Sequence, residues 1–285
     1  WPAPSFSSVA AVGFGLSAYL VGVERGWVSR EEARDRVLVT LRFLWNAPQG
    51  TAAAGMTGYK GFFYHFLDME TGMRWGKDVE LSSIDTTLCL AGALSAGLFF
   101  DRDDPAEAEV RDLAKKLYER VDWRWMQPRA PRVAMAWLPE SGFGPADWNG
   151  YDESMVLYVL ALGSPTHPAT DGAWEAFVST YRWSEHEGQT YVNFAPLFGH
   201  QFSHVWIDFR GIRDAFMQAK GIDYFENSRR AVLAQRAYAI RNPEGFLGYA
   251  PDVWGLSACD GPADVPLPGD GTARRFVTYG ARGGS

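Results

Sequence analysis

Trp148-Asn149-Gly150-Tyr151-Asp152-Glu153-Ser154 leads straight into an apolar run from Met155 to Leu162. A loop rich in Trp, Gly and Pro (Asp122 to Gly150) comes before it, so the chain passes here from a long aromatic loop into a helix. Glu153 stands at that junction, where its backbone is held and its side chain faces whatever the loop lines. The segment joins an aromatic plane, a side-chain amide, a hinge glycine and two carboxylates. Rings stack on the apolar faces of pyranoses, and acids bond hydroxyls or move protons, so the chemistry expected is that of a sugar site. A helix first turn also favours an acid through the dipole, and that is the competing, structural account of Glu153. Asp152, on a different face, reads as solvated or structural.

The same passage from loop to helix recurs along the chain. A first helix spans about Ser7 to Arg25. Ser29-Arg30-Glu31-Glu32 resembles a capping box, and it opens a helix with Ala33, Val37, Leu41 and Leu44 on one face. Phe62, Tyr64 and Phe66 alternate with their neighbours before the turn Glu70-Thr71-Gly72, which predicts a short hairpin within residues 61–75. Further helices are expected over Ser83 to Phe100, from Pro105 to about Val121, over Glu153 to Leu162, Gly172 to Trp183, Phe202 to Lys220 and Tyr224 to Arg241. Helix pairs fed by long loops always on the same side predict an all-α chain folded as an α/α toroid with a β-hairpin insertion. No repeat of fixed period supports the alternative, an α-solenoid. Gly13-Phe14-Gly15 lies inside a helical run and reads as a close-packing device.

With 285 residues and 47% hydrophobic content, the chain can bury a full core as one large domain or two small ones. A formal net charge of -7 and no Lys/Arg cluster argue against nucleic acid or an anionic membrane as partner. No apolar stretch reaches the roughly 20 residues of a membrane span. The 12 Trp, 12 Tyr and 18 Phe exceed what packing usually requires, so some of these rings are expected to line a groove. Cys89 and Cys259 have neither disulfide-framework nor metal spacing, and Cys89 reads as a small buried thiol.

Candidate chemistry gathers in the feeding loops. Glycoside hydrolysis takes one acid to protonate the leaving oxygen and a second carboxylate as base or nucleophile. Glu153 is the first choice for the acid. Asp85 follows Ser82 at capping spacing, so it ties down a helix start, aims into the cleft, or does both. Glu80 and Asp68 are weaker candidates. His200, His204 and Asp208 recur every fourth residue and would share one face of a helix, a spacing that binds metal in zinc proteases. The glutamate that accompanies such pairs is replaced by Gln201, and three polar residues lining a sugar groove explain the stretch equally well. Asp260, in a Gly-Pro turn after Trp254, is a second catalytic carboxylate, a hydroxyl ligand or an ordinary turn residue.

These motifs together resemble the bacterial glucoamylase-like domain family. The resemblance is carried by Gly61-Phe62-Phe63-Tyr64-His65-Phe66-Leu67-Asp68-Met69-Glu70-Thr71-Gly72, by Glu80-Leu81-Ser82-Ser83-Ile84-Asp85-Thr86, by Trp148 through Pro168, and by Gly199-His200-Gln201-Phe202-Ser203-His204-Val205-Trp206-Ile207-Asp208, with Trp254 to Pro262 fitting as well. It implies a single (α/α)6 barrel domain over residues 1–285 and action on β-glucans without cofactor or metal. Relatives of that kind are endo-β-1,2-glucanases and the transglycosylating domain of cyclic β-1,2-glucan synthases. It further implies Glu153 of the Tyr-x-Glu motif as general acid, with its partner among Asp85, Asp208 and Asp260. Sugar contacts are expected at Trp148, Asn149, Tyr151, Tyr64, His65, Asp68, His200, Gln201, His204, Trp206 and Trp254. A periplasmic or extracellular location is implied too. A complete member has twelve barrel helices against the eight or nine expected here, so the barrel is expected to be incomplete at both ends. The alternatives are a non-catalytic glucan-binding domain and a metal-dependent hydrolase using His200, His204 and Asp208.

Overall fold

The computed structural model describes residues 5–260, 265 and 279–281. These form two compact units. One runs to Asn149 and resumes over Ser154–Phe177, and the other takes Gly150–Glu153 and continues from Val178.

The first unit is built on helices α1 (Val9–Glu24), α2 (Arg30–Asn46), α3 (Ser83–Phe99) and α4 (Pro105–Glu119), with α5 (Met155–Leu162) and α6 (Ala173–Val178) later in the chain. Helix α2 starts at the expected capping box: the Ser29 hydroxyl accepts from Glu32 N–H, and the Glu32 carboxylate accepts from Ser29 N–H, both at 3.2 Å. Ala33, Val37, Leu41 and Leu44 are all buried, so the face read from the sequence is the packed face. Helix α4 starts at Asp104, which caps Glu107 N–H, with Pro105 in the first turn where no donor is lost. Helix α3 is buried nearly all round from Ser83 to Ala93. It crosses α1 at backbone contact. A Cβ on Gly13 would lie 2.1 Å from the Leu88 carbonyl oxygen, and one on Gly92 would lie 2.1 Å from that of Gly13. Only glycine fits there, which is the close-packing role expected of Gly13. Cys89, on the same helix, is buried and unpaired.

Strands correct the all-α expectation. β1 (Phe6–Ser8), β2 (Gly58–Tyr59), β3 (Phe62–Tyr64), β4 (Phe66–Asp68), β5 (Leu81–Ser82), β6 (Ala136–Leu138) and β7 (Gly142–Phe143) all belong to this unit. They form an antiparallel five-stranded sheet in the order β2-β3-β5-β6-β7 and a separate β1-β4 pair. The expected hairpin over residues 61–75 is therefore split. Its turn is real, with Gly72 at φ 70° and a bridge from Leu67 to Arg74, but β3 and β4 join different sheets. The reason is burial: Phe62, Phe63 and Tyr64 are all fully buried, so no in-out alternation governs that strand.

The second unit begins with a hairpin, β8 (Trp183–His186) and β9 (Gln189–Val192), turning through Glu187 at φ 50° and Gly188 at φ 74°. Positive φ at both central residues is the hairpin turn that follows strand twist. It cuts short the helix expected to reach Trp183. The helix expected over Phe202 to Lys220 is also broken. Two short 3₁₀ turns (Leu197–His200 and Phe202–Val205) precede α7 (Ala215–Lys220), which is capped by Asp214 and ended by Gly221 at φ 71°. Helix α8 (Tyr224–Arg241) is capped by Asp223 and packs against β9. Its Gln235 fastens two loops, donating to the Ala195 carbonyl and accepting from Leu256 N–H. A last antiparallel pair joins β10 (Ala258–Asp260) to β11 (Tyr279–Ala281). No helix among the described residues is long and apolar enough to cross a membrane.

Candidate functional site

In the second unit, the Tyr-x-Glu motif and the His200–His204 segment converge on one side chain of α8. Gly150 takes φ 82°, which turns the chain so that Tyr151 enters the interior. The Tyr151 ring stacks on His200, and its hydroxyl lies 3.1 Å from Ser228 Oγ. His204 Nε2 lies 2.9 Å from that same oxygen. Glu153 sits half-buried in the turn just before α5, and its backbone carbonyl accepts from Ser203 Oγ at 2.9 Å. The backbone of the proposed acid is therefore pinned to the segment carrying the two histidines. An open pocket of about 500 Å³ adjoins them, lined by His200, Gln201, His204, Val205, Phe225 and Ser228 together with Arg229 and Val232.

Electrostatics keep this cluster neutral. Burial drives the His200 pKa down to about 3 against the pull of the Phe194 carbonyl, and it lowers His204 as well. His200 Nε2 donates to that carbonyl at 3.0 Å, which leaves Nδ1 buried with no partner. Burial pushes the Tyr151 hydroxyl up to about 12. The stretch presents polar but uncharged groups, which can bond sugar hydroxyls.

Asp208 is not part of it. His200 and His204 lie on separate 3₁₀ turns, so the shared helix face does not exist. Asp208 is exposed, doubly bonded to Arg210, and held near 2 chiefly by that bond. Among the described residues no group of three or more His, Cys, Asp or Glu is arranged so that it could hold a metal. The geometric basis for a His200-His204-Asp208 metal site is thereby removed. Asp152 is buried rather than solvated, and Trp206 is half-buried. Trp254, 37% exposed, lines a smaller pocket of about 210 Å³ with Tyr249 and Leu256. Asp260 is placed by its backbone in β10, and its side chain lies outside the described part of the structure.

The first unit holds a second titratable cluster. His65 Nδ1 lies 2.8 Å from Glu80 Oε1, and its Nε2 lies 3.3 Å from Asp85 Oδ1. Asp85 both takes part in the cap of α3, its N–H donating to Ser82 Oγ, and accepts from that hydroxyl through its carboxylate at 2.6 Å. The capping and site readings of Asp85 are therefore compatible. Burial raises the Asp85 carboxyl despite His65 and Ser82. Burial also opposes a charge on His65, but Glu80 and Asp85 outweigh it and the imidazole pKa rises. Glu80 is lowered: burial acts against this, and the His65 bond overcomes it.

The remaining expected contacts have structural partners. Trp148 is buried, and its indole N–H donates to Ser83 Oγ at 2.9 Å. Asn149 is exposed and donates to the Asp147 carbonyl. Tyr64 is fully buried beneath the Arg74 guanidinium. Asp68 accepts from Glu70 and Thr71 N–H and so closes its own turn. Sequence reasoning missed Ser228. The available signal was the adjacent polar pair Asn227-Ser228 inside a long helix, where both side chains prove buried.

Residues 145–285 match the family model described as "Putative glucoamylase". The chain is 27% identical, over 89% of its length, to a curated exo beta-1,2-glucooligosaccharide sophorohydrolase (non-reducing end) of Parabacteroides distasonis. It superposes with a TM-score of 0.83 and 26% identity on a putative glucoamylase from Bacteroides uniformis, over 99% of this chain. An endo-beta-1,2-glucanase from Chitinophaga pinensis gives a TM-score of 0.79 and 28% identity over 90% of this chain. The chain spans 38% of the curated relative and 66% and 62% of the two solved chains.

Proposed function

We propose that this chain belongs to the glucoamylase-like family and carries the catalytic chemistry of a glycoside hydrolase or transglycosylase acting on β-1,2-linked glucans. The observation that carries this reading is Glu153. It is pinned through Ser203 to a pocket lined by His200, Gln201 and His204, inside the matched region. Relatives named for β-1,2-glucan hydrolysis support the linkage, and similarity to glucoamylase-like structures supports an (α/α)6 toroid.

Glu153 serves as general acid, delivering its proton to the glycosidic oxygen as the bond to C1 breaks. A second carboxylate then activates water or attacks C1 directly. Of the candidates for that role, Asp208 is committed to Arg210 at the surface, which leaves Asp85 and Asp260. The neutral residues Gln201 and His204 bond sugar hydroxyls, and Phe225 offers an apolar ring face. Incubating the folded protein with linear β-1,2-glucan, alongside β-1,3-, β-1,4- and α-1,4-glucans, tests the reading. Short β-1,2-oligosaccharides are the expected product, and no release from any of these polymers would sink it. Retention or inversion at C1 then separates transglycosylase from simple hydrolase.

A further inference from the structure

We infer that His65 is a positioning residue: hydrogen-bonded at Nδ1 to Glu80, it holds Nε2 against the Asp85 carboxyl, 3.3 Å away, as an ion-pair partner. The inference deepens the proposed function, resting on it for the use of Asp85 but not for the test below.

The geometry supplies the argument. Both ring nitrogens of His65 face a carboxylate. A neutral imidazole carries a single N–H, so with both acids ionised one oxygen would meet a nitrogen lone pair. Two protons relieve that clash: both sit on the imidazole, or one sits on Nδ1 and the other on Asp85, the more buried of the two carboxyls. In both arrangements Glu80 accepts from Nδ1.

The surroundings keep the ring where this requires it. His65 N–H donates to the Glu80 carbonyl, its own carbonyl accepts from Val9 N–H, and the imidazole lies flat on Phe66 with centroids 3.8 Å apart. Asp85 accepts from Ser82 at Oδ2 and from Ser8 at Oδ1, the oxygen that faces His65. Arg74 lowers Glu80 further, and Cys89, one turn along α3, is another titratable group that feels Asp85. His65 and Glu80 are each about one-third exposed and Asp85 is nearly covered, so the array opens to solvent at its imidazole end.

Long-range ¹H–¹⁵N spectra of the labelled protein, recorded across pH, read the array directly. The neutral His65 is expected as the Nδ1–H tautomer, and its titration is expected to lie above that of a free imidazole. Glu80→Gln and Asp85→Asn each remove one facing charge and should lower it by about one pH unit or more. Both substitutions are close to isosteric, and either alone suffices if the other fails to fold. An Nε2–H tautomer, or a titration unmoved in the folded variants, overturns the inference. On β-1,2-glucan, the kcat-pH profile of Glu80→Gln should move with the imidazole while KM holds. A profile that stays put overturns the link to Asp85. Absence of all glucan activity in the unaltered protein would instead sink the proposed function, leaving the titration as judge.

Discussion

Tyr151 lies stacked on His200, with ring centroids 4.7 Å apart and planes inclined by 29°. The contact joins the Tyr-x-Glu motif to the histidine-bearing segment through two buried, neutral rings. Neutrality is part of the packing, because a charged imidazole at this depth would have no counterion.

The first consequence is an acid sensitivity with a definite sign. Burial lowers the His200 pKa to about 3, below that of an unfolded histidine near 6.5. The unfolded chain therefore binds the extra proton first as the pH drops. The stability linked to His200 is fully present above about pH 6.5 and is lost as the pH falls toward about 3. Urea midpoints measured from pH 7 to pH 4 should fall less in His200→Gln than in the unaltered protein. Parallel slopes would refute the assignment.

Ser228 bonds two partners, so its loss should exceed the loss of either bond. Tyr151→Phe removes one hydrogen bond and keeps the stack, a cost of about 1 kcal/mol. Ser228→Ala leaves both the Tyr151 hydroxyl and His204 Nε2 without this partner in a buried setting, at about 1–3 kcal/mol. Denaturant unfolding of both variants checks the order. Equal losses would mean that Ser228 is not the junction.

For Glu153→Gln, size and hydrogen-bonding reach are nearly conserved while the deliverable proton is lost. Turnover should drop by roughly 10²–10⁴-fold, the usual contribution of general acid catalysis. Melting temperature and sugar affinity should hardly move. A lower melting temperature with a rate within a fewfold of the parent would make Glu153 structural. Unchanged glucan binding with no turnover in either protein would favour a binding domain.

Gly13→Ala tests the helix crossing. The added methyl would fall 2.1 Å from the Leu88 carbonyl, against backbone that has no rotamer to yield. A loss of about 1–3 kcal/mol is expected from overpacking of this kind. Gly15→Ala, where nothing lies within 4 Å, serves as control and should be neutral or stabilising. Thermal melts of the pair decide it.

Local signals were sufficient wherever neighbours in sequence settle the structure. The Ser29–Glu32 box, the Asp104-Pro105 start, the Ala33-Val37-Leu41-Leu44 face and the glycine contact at Gly13 were all legible. Caps and the first helix bonds are satisfied within a few residues, so they form where cap, periodicity and burial agree. Where a distant partner does decide, the sequence was silent or misleading. Phe62 and Tyr64 look like one side of an alternating hairpin, yet β3 is buried on both faces and pairs with β2 and β5, while β4 pairs with β1. His200, His204 and Asp208 have helical spacing, but the chain breaks into 3₁₀ turns and Asp208 turns outward to Arg210. Ser228 gains its role from Tyr151, 77 residues away, and His65 gains its two carboxylates from a strand end and a helix start that only folding brings together. The residue types of the candidate site belonged to the sequence. Which of them touch, and which proton each can hold, was decided by burial and by hydrogen bonds that close long loops of chain.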